Sequence, residues 1–494
     1  MAIKRYYATK DNTITNAFKS NLSTRGVSGN MGQSDILEVF SIYAQVSSST
    51  GYSSELSRVL IEFDTTAINT DRTAGNIPAS GSVNFFLKMY DAEHTQTTPK
   101  NYTLVVSPIS QSWSEGLGLD MEEYSDEDTS NWISASNGVG WSTFGGASVQ
   151  GGSFRTGSND APNEYLFTQS FDTGFENLEL DVSHLVEDWI KGDLDNNGFG
   201  VRLTASDETQ EQSFYTKMFF ARGSQFFHKR PVIEARWDDS KKDNRGDFFL
   251  SSSLVPASDN LMNLYLYNVV RGQLTNIPAV GANEMEVSIY SGTTAPTGYK
   301  LFLPVGGGVK STGHVNITAS HVETGIYSCS FAYASSSITK IFDVWSSGSI
   351  EYHTGSGVDI KTFDSQDYNF DQRYVSKVTN LRATYDKNEK VRFRLYTRQK
   401  DWSPTIYTVA SNKIETSIID NSYYRFTRLS DNLEVIPFGT GSLNHTRLSY
   451  DTSGSYFDLE MNLFDTDTVY ELSFAYLING SYVEQPERFR FRVE

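Results

Sequence analysis

Residues 180–237 decide the fold class and read LDVSHLVEDWIKGDLDNNGFGVRLTASDETQEQSFYTKMFFARGSQFFHKRPVIEARW. The stretch opens with a short segment whose apolar residues recur at helical spacing: Val182, Leu185, Val186, Trp189 and Ile190. Asp181 or Ser183 is placed to cap the first free amides of this helix. Lys191 followed by Gly192 is a helix-ending pair, because a glycine tolerates the positive φ of a C-terminal cap. The spacing therefore predicts one short helix that buries a single face.

Strands dominate the rest of this stretch. A polar turn over residues 193–198 leads into a predicted strand at Phe199 and residues 201–203. Residues 231–237 alternate between apolar and polar side chains after Pro231 and predict a closing strand. Strands and turns are also predicted before the stretch, at residues 9–14 (TKDNTI), 30–32 (NMG), 36–39 (ILEV), 58–64 (RVLIEFD) and 81–90 (GSVNFFLKMY).

In this order, these motifs resemble the DNRLRE family of β-sandwich domains, which is related to carbohydrate-binding modules. The family pattern begins with D-x-x-I, a glycine-containing turn, an Arg-led strand ending in Phe-Asp and a strand ending in Tyr. It continues with a Trp-bearing helix, an Asn-Gly turn and a Pro-led closing strand. The resemblance implies a jelly-roll-like sandwich over residues 1–240, with a long insert at 116–165. By analogy alone, it also implies glycan binding.

Composition favours an all-β protein with several domains. A chain of 494 residues exceeds one ordinary domain, and 13% of it is aromatic, a residue class that packs well on pleated sheets. We expect two immunoglobulin-like β-sandwiches at 249–370 and 371–494, after a charged linker at 238–248. The pattern YxxSFAY begins at Tyr327 and again at Tyr470, which indicates the same strand of two related sandwiches unless the match is coincidental.

Charge and cysteine content restrict the function. A formal net charge of −19 without a basic stripe argues against nucleic-acid binding. Cys329 is the only cysteine, so no intrachain disulfide forms, and we expect a small buried side chain. The start of the chain lacks a signal core, and no apolar run is long enough to cross a membrane. If the protein works outside a cell, we expect it to leave by another route, and assembly in a host cytoplasm followed by release by lysis is one such route.

Catalytic motifs are not found, and we expect no catalytic residues and no required cofactor. The histidines form no metal-ligand pattern, and no G-x-S-x-G nucleophile motif occurs. An acidic run within residues 120–128 offers paired carboxylates of the kind used in glycoside hydrolysis. A solvated loop, a partner-binding rim or a cation site explains the same run, and we favour these explanations because the carboxylates crowd an irregular segment.

Two sites for ligands are predicted. Asp193, Asp195 and Asn197 have the D-x-D-x-N-G spacing that opens a calcium loop, but Thr204 stands where a bidentate glutamate is expected. An ordinary turn is the alternative interpretation. On the insert, Tyr124, Trp132 and Trp141 are candidates to contact a glycan or a protein partner, and the alternative is that the indoles hold the insert on the sandwich.

Residues 390–410 (KVRFRLYTRQKDWSPTIYTVA) and 435–461 (VIPFGTGSLNHTRLSYDTSGSYFDLEM) resemble virion structural proteins of marine T4-like cyanophages. The resemblance implies a non-enzymatic component of a tailed-phage particle, in a decoration, neck, fibre or baseplate position. Its partners would be other virion proteins and further copies of itself. The alternative function is a glycan-binding surface adhesion module that contacts host polysaccharide.

Overall fold

The computed structural model describes residues 2–49, 51–94, 100–125, 128–143, 145–157, 161–303, 316–334, 337–361, 372–401 and 416–494, apart from the side chains of 123–125, 215, 216, 257 and 258. Strands hold 47% of the residues and helices 8%, so the predicted all-β class of serial β-sandwiches is confirmed. The chain divides into two compact units, residues 2–238 and residues 239–494.

The first unit is built mainly of antiparallel strands. Its strands are β1 (Ile3–Thr15), β2 (Gly29–Asn30), β3 (Ile36–Ser48), β4 (Gly51–Phe63), β5 (Asn84–Met89), β6 (Tyr102–Pro108), β7 (Asp120–Ser125), β8 (Ser134–Ser136), β9 (Val139–Gly140), β10 (Phe167–Phe171), β11 (Leu178–Asp181), β12 (Phe199–Leu203), β13 (Phe214–Phe220) and β14 (Val232–Arg236). Its helices are α1 (Thr65–Thr73), α2 (Ser183–Lys191) and α3 (Ala205–Thr209), with a 3-10 turn at Phe227–Lys229.

Strand β1 connects the layers of this unit, because it changes partner along its length. Residues 3–7 pair with β14, which continues through β5 to β11. After a register shift between Ala8 and Lys10, β1 pairs with β4, which continues through β12 and β6 to β10. The N-terminal part of β4 also pairs with β3, and β3 pairs with β13. A bulge of this kind bends a strand and lets it serve two sheets.

Helix α2 closes the core of the first unit, as its spacing predicts. Val182, Leu185 and Val186 are fully buried, and Trp189 packs edge-on against Phe199. Gly192 ends the helix with φ 82°, so the predicted C-terminal cap is confirmed. The predicted N-terminal cap is only partly present, because Asp181 accepts the Ser183 amide whereas Val182 is the capping residue.

The second unit contains the remaining strands. They are β15 (Phe248–Phe249), β16 (Met262–Tyr267), β17 (Val269–Val270), β18 (Gln273–Leu274), β19 (Met285–Ser291), β20 (Ile317–Glu323), β21 (Ile326–Phe331), β22 (Lys340–Ser347), β23 (Ile350–Thr354), β24 (Val358–Lys361), β25 (Tyr374–Val378), β26 (Thr384–Tyr385), β27 (Lys390–Gln399), β28 (Ser422–Arg428), β29 (Leu433–Ile436), β30 (Ser449–Asp451), β31 (Gly454–Glu460), β32 (Thr468–Ile478), β33 (Ser481–Glu484) and β34 (Phe489–Val493). Short 3-10 turns lie at Asn244–Gly246, Ala257–Asn260 and Met461–Leu463.

These strands form separate sheets in the two halves of the unit. In the first half the sheet order is β15-β24-β22-β19-β20-β21-β16, and one hydrophobic core spans residues 248–358. In the second half, a sheet of order β25-β27-β31-β30 accompanies a sheet of order β26-β34-β32-β28-β29. Phe393, Phe457 and Tyr424 stack in the core of this half. Cys329 is buried in the first core as predicted, and burial raises the pKa of its thiol.

Candidate functional site

Both tryptophans of the insert are buried. Trp132 is 6% exposed and Trp141 is 1% exposed, and both belong to a cluster with Trp113, Ile14 and Leu60. The Trp141 indole nitrogen donates to the Asn131 carbonyl at 2.8 Å. The Arg58 guanidinium lies 5.2 Å from the centroid of the Trp132 ring. Neither indole therefore presents a free face to a sugar, and their placement agrees with the second interpretation, in which they hold the insert on the sandwich.

Strand β7 carries part of the acidic run. Tyr124 belongs to this strand, but its side chain lies outside the described residues, as do Asp126 and Glu127. The Asp120 carboxylate accepts the Glu122 amide at 2.9 Å. The Glu122 carboxylate accepts the Ser20 amide at 3.1 Å. Asp120 therefore holds backbone within β7, and Glu122 holds backbone near Ser20. This part of the run is a strand paired with β2, whereas a solvated loop was one of the expected structures.

The predicted calcium loop forms a turn anchored to its neighbours. The Asn196 side chain donates to the Phe63 carbonyl at 2.7 Å and accepts the Gly198 amide at 3.1 Å. The Asn197 carbonyl accepts the indole of Trp113 at 2.9 Å. A Cβ at Gly198 would lie 2.1 Å from a backbone oxygen, so only glycine fits there. Asp193 and Asp195 are exposed.

These contacts account for the Asn-Gly turn without an ion. Calcium binding at Asp193, Asp195 and Asn197 stays a prediction.

A histidine between two carboxylates lies at the start of α2. His184 Nε2 is 2.9 Å from Glu164, and its Nδ1 is 2.9 Å from Asp188, which also accepts the Tyr165 hydroxyl at 2.8 Å. A hydrogen bond to its own backbone and the two carboxylates raise the pKa of His184. The ligand atoms lie within 4.8 Å of one another, close enough for a metal ion. Each ring nitrogen already faces its own carboxylate, however, so the geometry suits a protonated imidazole better.

The sequence predicts the proximity of only two of the three residues in this cluster. His184 and Asp188 have i, i+4 spacing on one helix, which places them on the same face. Glu164 comes from the end of the insert, and nothing in the spacing predicts that it reaches the helix.

An exposed aromatic surface, which the sequence analysis missed, lies between β13 and β14. We define the aromatic patch as Tyr7, Phe220, Phe226 and Phe227. Phe226 is 49% exposed and Phe227 is 37% exposed. Phe227 packs on Tyr7 with ring centroids 4.4 Å apart, and Phe226 packs edge-on against Phe220 at 5.5 Å.

Hydrogen bonds fix the loop that carries the patch. The Phe226 amide donates to the Ser224 hydroxyl at 3.2 Å, and the Lys229 amide donates to the Phe226 carbonyl at 2.9 Å. Arg230 donates to the Ser224 carbonyl at 2.7 Å. The Lys229 ammonium lies 5.2 Å from the Phe220 ring centroid, and Arg230 lies 5.5 Å from that of Phe227. The patch is therefore an ordered surface of aromatic rings and cations.

A second exposed apolar surface is a hairpin in the other unit. We define the apolar hairpin as β17 and β18, joined by Arg271 and Gly272, both with positive φ as in tight hairpin turns. Val269 pairs with Leu274 across the hairpin, and Val269, Val270 and Leu274 are 55%, 50% and 43% exposed. Aliphatic side chains on a short two-stranded hairpin have little protein beneath them to bury against.

A polar cleft of about 680 Å³ also lies in the second unit. Arg398, Lys361, Asp247 and Tyr374 are among its lining residues. Lys361 donates to Asp247 at 2.8 Å, so at least one pair of charges is neutralised within the cleft. The segments 362–371 and 402–415, which follow two lining strands, lie outside the described residues.

Among the described residues, no helix is both long and apolar enough to cross a membrane.

Comparison with known proteins assigns no family. No family model matches the chain, and no curated protein matches it. Among solved structures, similarity is found to a marsupial T cell receptor, with TM-score 0.16 and 11% identity over 48% of this chain and 69% of that chain. A trypsin-activated alpha-2-macroglobulin from Escherichia coli gives TM-score 0.15 and 9% identity, covering 88% of this chain and 24% of that chain. The resemblances to DNRLRE domains and to cyanophage virion proteins stay predictions.

Proposed function

We propose that this protein is a non-enzymatic structural component of a tailed-bacteriophage particle that acts through protein–protein interfaces. The observation that carries the proposal is the aromatic patch, an ordered surface of exposed aromatic rings and neighbouring cations on a β-sandwich. The serial sandwich architecture and the resemblance of residues 390–410 and 435–461 to cyanophage virion proteins support it. A decoration, neck, fibre or baseplate position fits the proposal equally.

The composition of the patch suits a protein interface. Aromatic residues and arginine are enriched in the buried centres of interfaces, where a few side chains supply most of the binding free energy. Phe226 and Phe227 are rings of this kind, and Arg230 lies beside them. Because hydrogen bonds already hold the loop, little conformational entropy is lost when a partner binds.

The apolar hairpin offers a second contact of the same type. Val269, Val270 and Leu274 would leave water when a partner covers the hairpin, and removal of apolar surface from water favours association. The partners in this proposal are other virion proteins and further copies of the same chain, since closed symmetric assemblies are the usual arrangement for such components.

Glycan binding remains the second candidate function, because exposed aromatic rings stack on sugars. In the patch, however, Lys229 lies within 6.0 Å of the Phe226 ring centroid and Arg230 lies near Phe227. These cations limit access to the ring faces that a sugar needs. The surrounding positive charge would favour an acidic polysaccharide over a neutral one.

The experiment compares two double variants during phage assembly. Phe226→Ala with Phe227→Ala removes the exposed rings of the patch, whereas Tyr52→Ala with Phe175→Ala removes two rings that are 64% and 58% exposed elsewhere in the same unit. Each tagged variant is produced during infection, and its amount in gradient-purified particles is measured by quantitative mass spectrometry. We expect the patch variant to be depleted from particles by about tenfold or more, the loss of at least one interface hot spot.

Normal incorporation of the patch variant would contradict this assignment of the interface. Binding of host-surface polysaccharide, measured by co-sedimentation, separates the two functions. If the patch variant enters particles normally but no longer binds polysaccharide, the patch is a glycan-binding site and not an interface with other virion proteins.

A further inference from the structure

An amine, an amide and a carboxylate from separate parts of the chain meet beside β19 in the second unit. Glu286 and Ser288 are two residues apart on this strand, so their side chains lie on the same face. Lys300 forms a bridge opposite Tyr290, and Asn316 directly precedes β20, whose Ile317 pairs with Val287 of β19. Lys300 and Asn316 therefore lie along the same edge of one strand, Lys300 opposite Tyr290 and Asn316 next to the residue opposite Val287.

The side chain of Asn316 is held from both ends of its amide. Lys300 Nζ donates to Asn316 Oδ1. The Ser288 hydroxyl donates to the same oxygen at 3.0 Å. Asn316 Nδ2 donates to Glu286 Oε2 at 3.2 Å. Ser288 is 6% exposed, and the other three side chains are partly buried.

We propose that Lys300 and Asn316 form an intramolecular isopeptide bond, with Glu286 as the group that transfers the proton. The Lys300 ammonium first loses one proton to water, its amine nitrogen then attacks the side-chain carbonyl carbon of Asn316, and a new C–N bond forms. Glu286 takes a proton from the attacking nitrogen and gives it to the departing amide nitrogen. The bond between that nitrogen and the carbonyl carbon breaks, and one ammonia leaves. No oxidant, reductant or metal enters this balance.

Each contact has a role in this reaction. Two reacting groups held in contact behave as if at very high concentration, which lowers the entropic part of the barrier. The Ser288 hydroxyl is directed at the oxygen that becomes negative during the attack. Glu286 accepts a hydrogen bond from the nitrogen that must leave as ammonia, the position that a general acid requires.

Two other lysine pairs of this half are different in kind. Lys361 contacts the Asp247 carboxylate at 2.8 Å, and Lys340 contacts the Asp359 carboxylate at 2.9 Å. Neither pair contains an amide that can release ammonia, so both lack the leaving group of the proposed reaction. The proposed bond would join the two ends of the chain segment 300–316 and so restrict the unfolded state, as a disulfide does. This inference does not depend on the proposed function.

Peptide mapping of the full-length protein tests the bond directly. Without the bond, trypsin releases residues 301–310 and 311–340 as separate peptides, because Lys300, Lys310 and Lys340 are all cleaved. With the bond, Lys300 is protected, and residues 272–310 stay attached to residues 311–340. The joined species is lighter than the sum of its two peptides by one ammonia.

Two variants identify the chemistry. We expect Lys300→Arg, which keeps the charge, and Glu286→Gln, which keeps the shape, to release the separate 311–340 peptide with Asn316 intact. Circular dichroism of each variant checks that it folds. If a variant does not fold, the map of the wild-type protein still decides whether the bond exists.

Separate 301–310 and 311–340 peptides from folded wild-type protein would overturn the proposal. Loss of ammonia from the 311–340 peptide alone would also overturn it, since asparagine can cyclise on its own backbone. A joined peptide that persists in Glu286→Gln would refute the role of Glu286.

Discussion

Trp141 belongs to a polar insert, yet its indole is part of the hydrophobic core. Its ring is 1% exposed, and its nitrogen has a partner in the Asn131 carbonyl. We predict that Trp141→Ala destabilises the first unit by about 3–5 kcal/mol, because truncating a buried Trp leaves a cavity. Chemical denaturation of the full chain measures this. Tyr52→Ala, at a side chain that is 64% exposed, should change stability by less than about 0.5 kcal/mol.

A Trp141→Ala variant that is as stable as the wild type and has lost polysaccharide binding would instead support the interpretation that the insert contacts a glycan.

His184 predicts a pH dependence of stability in the first unit. Its pKa is raised from 6.5 in the folded state, so the protonated imidazole stabilises the fold. That contribution is complete below the unfolded pKa and disappears as pH rises through the higher folded pKa. The unfolding midpoint of the wild type minus that of His184→Gln should therefore fall as pH rises from about 6 to about 9. A difference that is constant or grows over this range would contradict the double ion pair.

At the scale of single elements, the sequence predicts α2, β12 and β14 well. Helical spacing, a Lys-Gly end and strict alternation depend only on neighbouring residues, so these elements can be predicted from the local sequence. The sequence predicts that strand β1 starts at Thr9, yet it begins at Ile3. Its N-terminal half carries charge in the sheet, and Arg5 pairs with the fully buried Glu234 at 2.9 Å. Because the partner of Arg5 lies 229 positions away, the sequence gives no sign that this charge is neutralised, and Arg5 is expected to be exposed.

Charged residues with distant partners also explain why residues 238–248 look like a linker in the sequence. Residues 241–243 form backbone hydrogen bonds with Tyr450 of β30, and Asn244 is buried. Arg245 donates to both carboxylate oxygens of Asp343, at 2.7 and 2.5 Å, and Asp343 is fully buried. The segment is therefore a structural part of the second unit, despite its charged composition.

We predict that Arg245→Ala destabilises the second unit by about 3–5 kcal/mol, since it leaves the buried Asp343 carboxylate without a cation. Lys340→Ala is the matched control, because its partner Asp359 is 72% exposed, and exposed ion pairs contribute about 0–1 kcal/mol. Differential scanning calorimetry of the full chain compares both variants. Equal unfolding temperatures for the two would show that the Arg245–Asp343 pair does not hold this segment.

For the molecule as a whole, the sequence predicts serial β-sandwiches because strands and turns recur regularly along the chain. The contact surfaces are not predictable in this way. Phe226 and Phe227 are exposed whereas Phe219 is fully buried, yet in the sequence all three are phenylalanines within one short stretch. Only the three-dimensional fold distinguishes an apolar residue of the core from one on an interface.

We propose that this protein is part of a phage particle, and its location tests the proposal most directly. The measurement is mass spectrometry of gradient-purified phage particles from the source of the chain, with gold-labelled antibodies against residues 249–494 in electron microscopy. We predict a fixed copy number and labelling at one position on the particle. Absence from the particles, with the protein free in the lysate or on cell surfaces, would contradict the account.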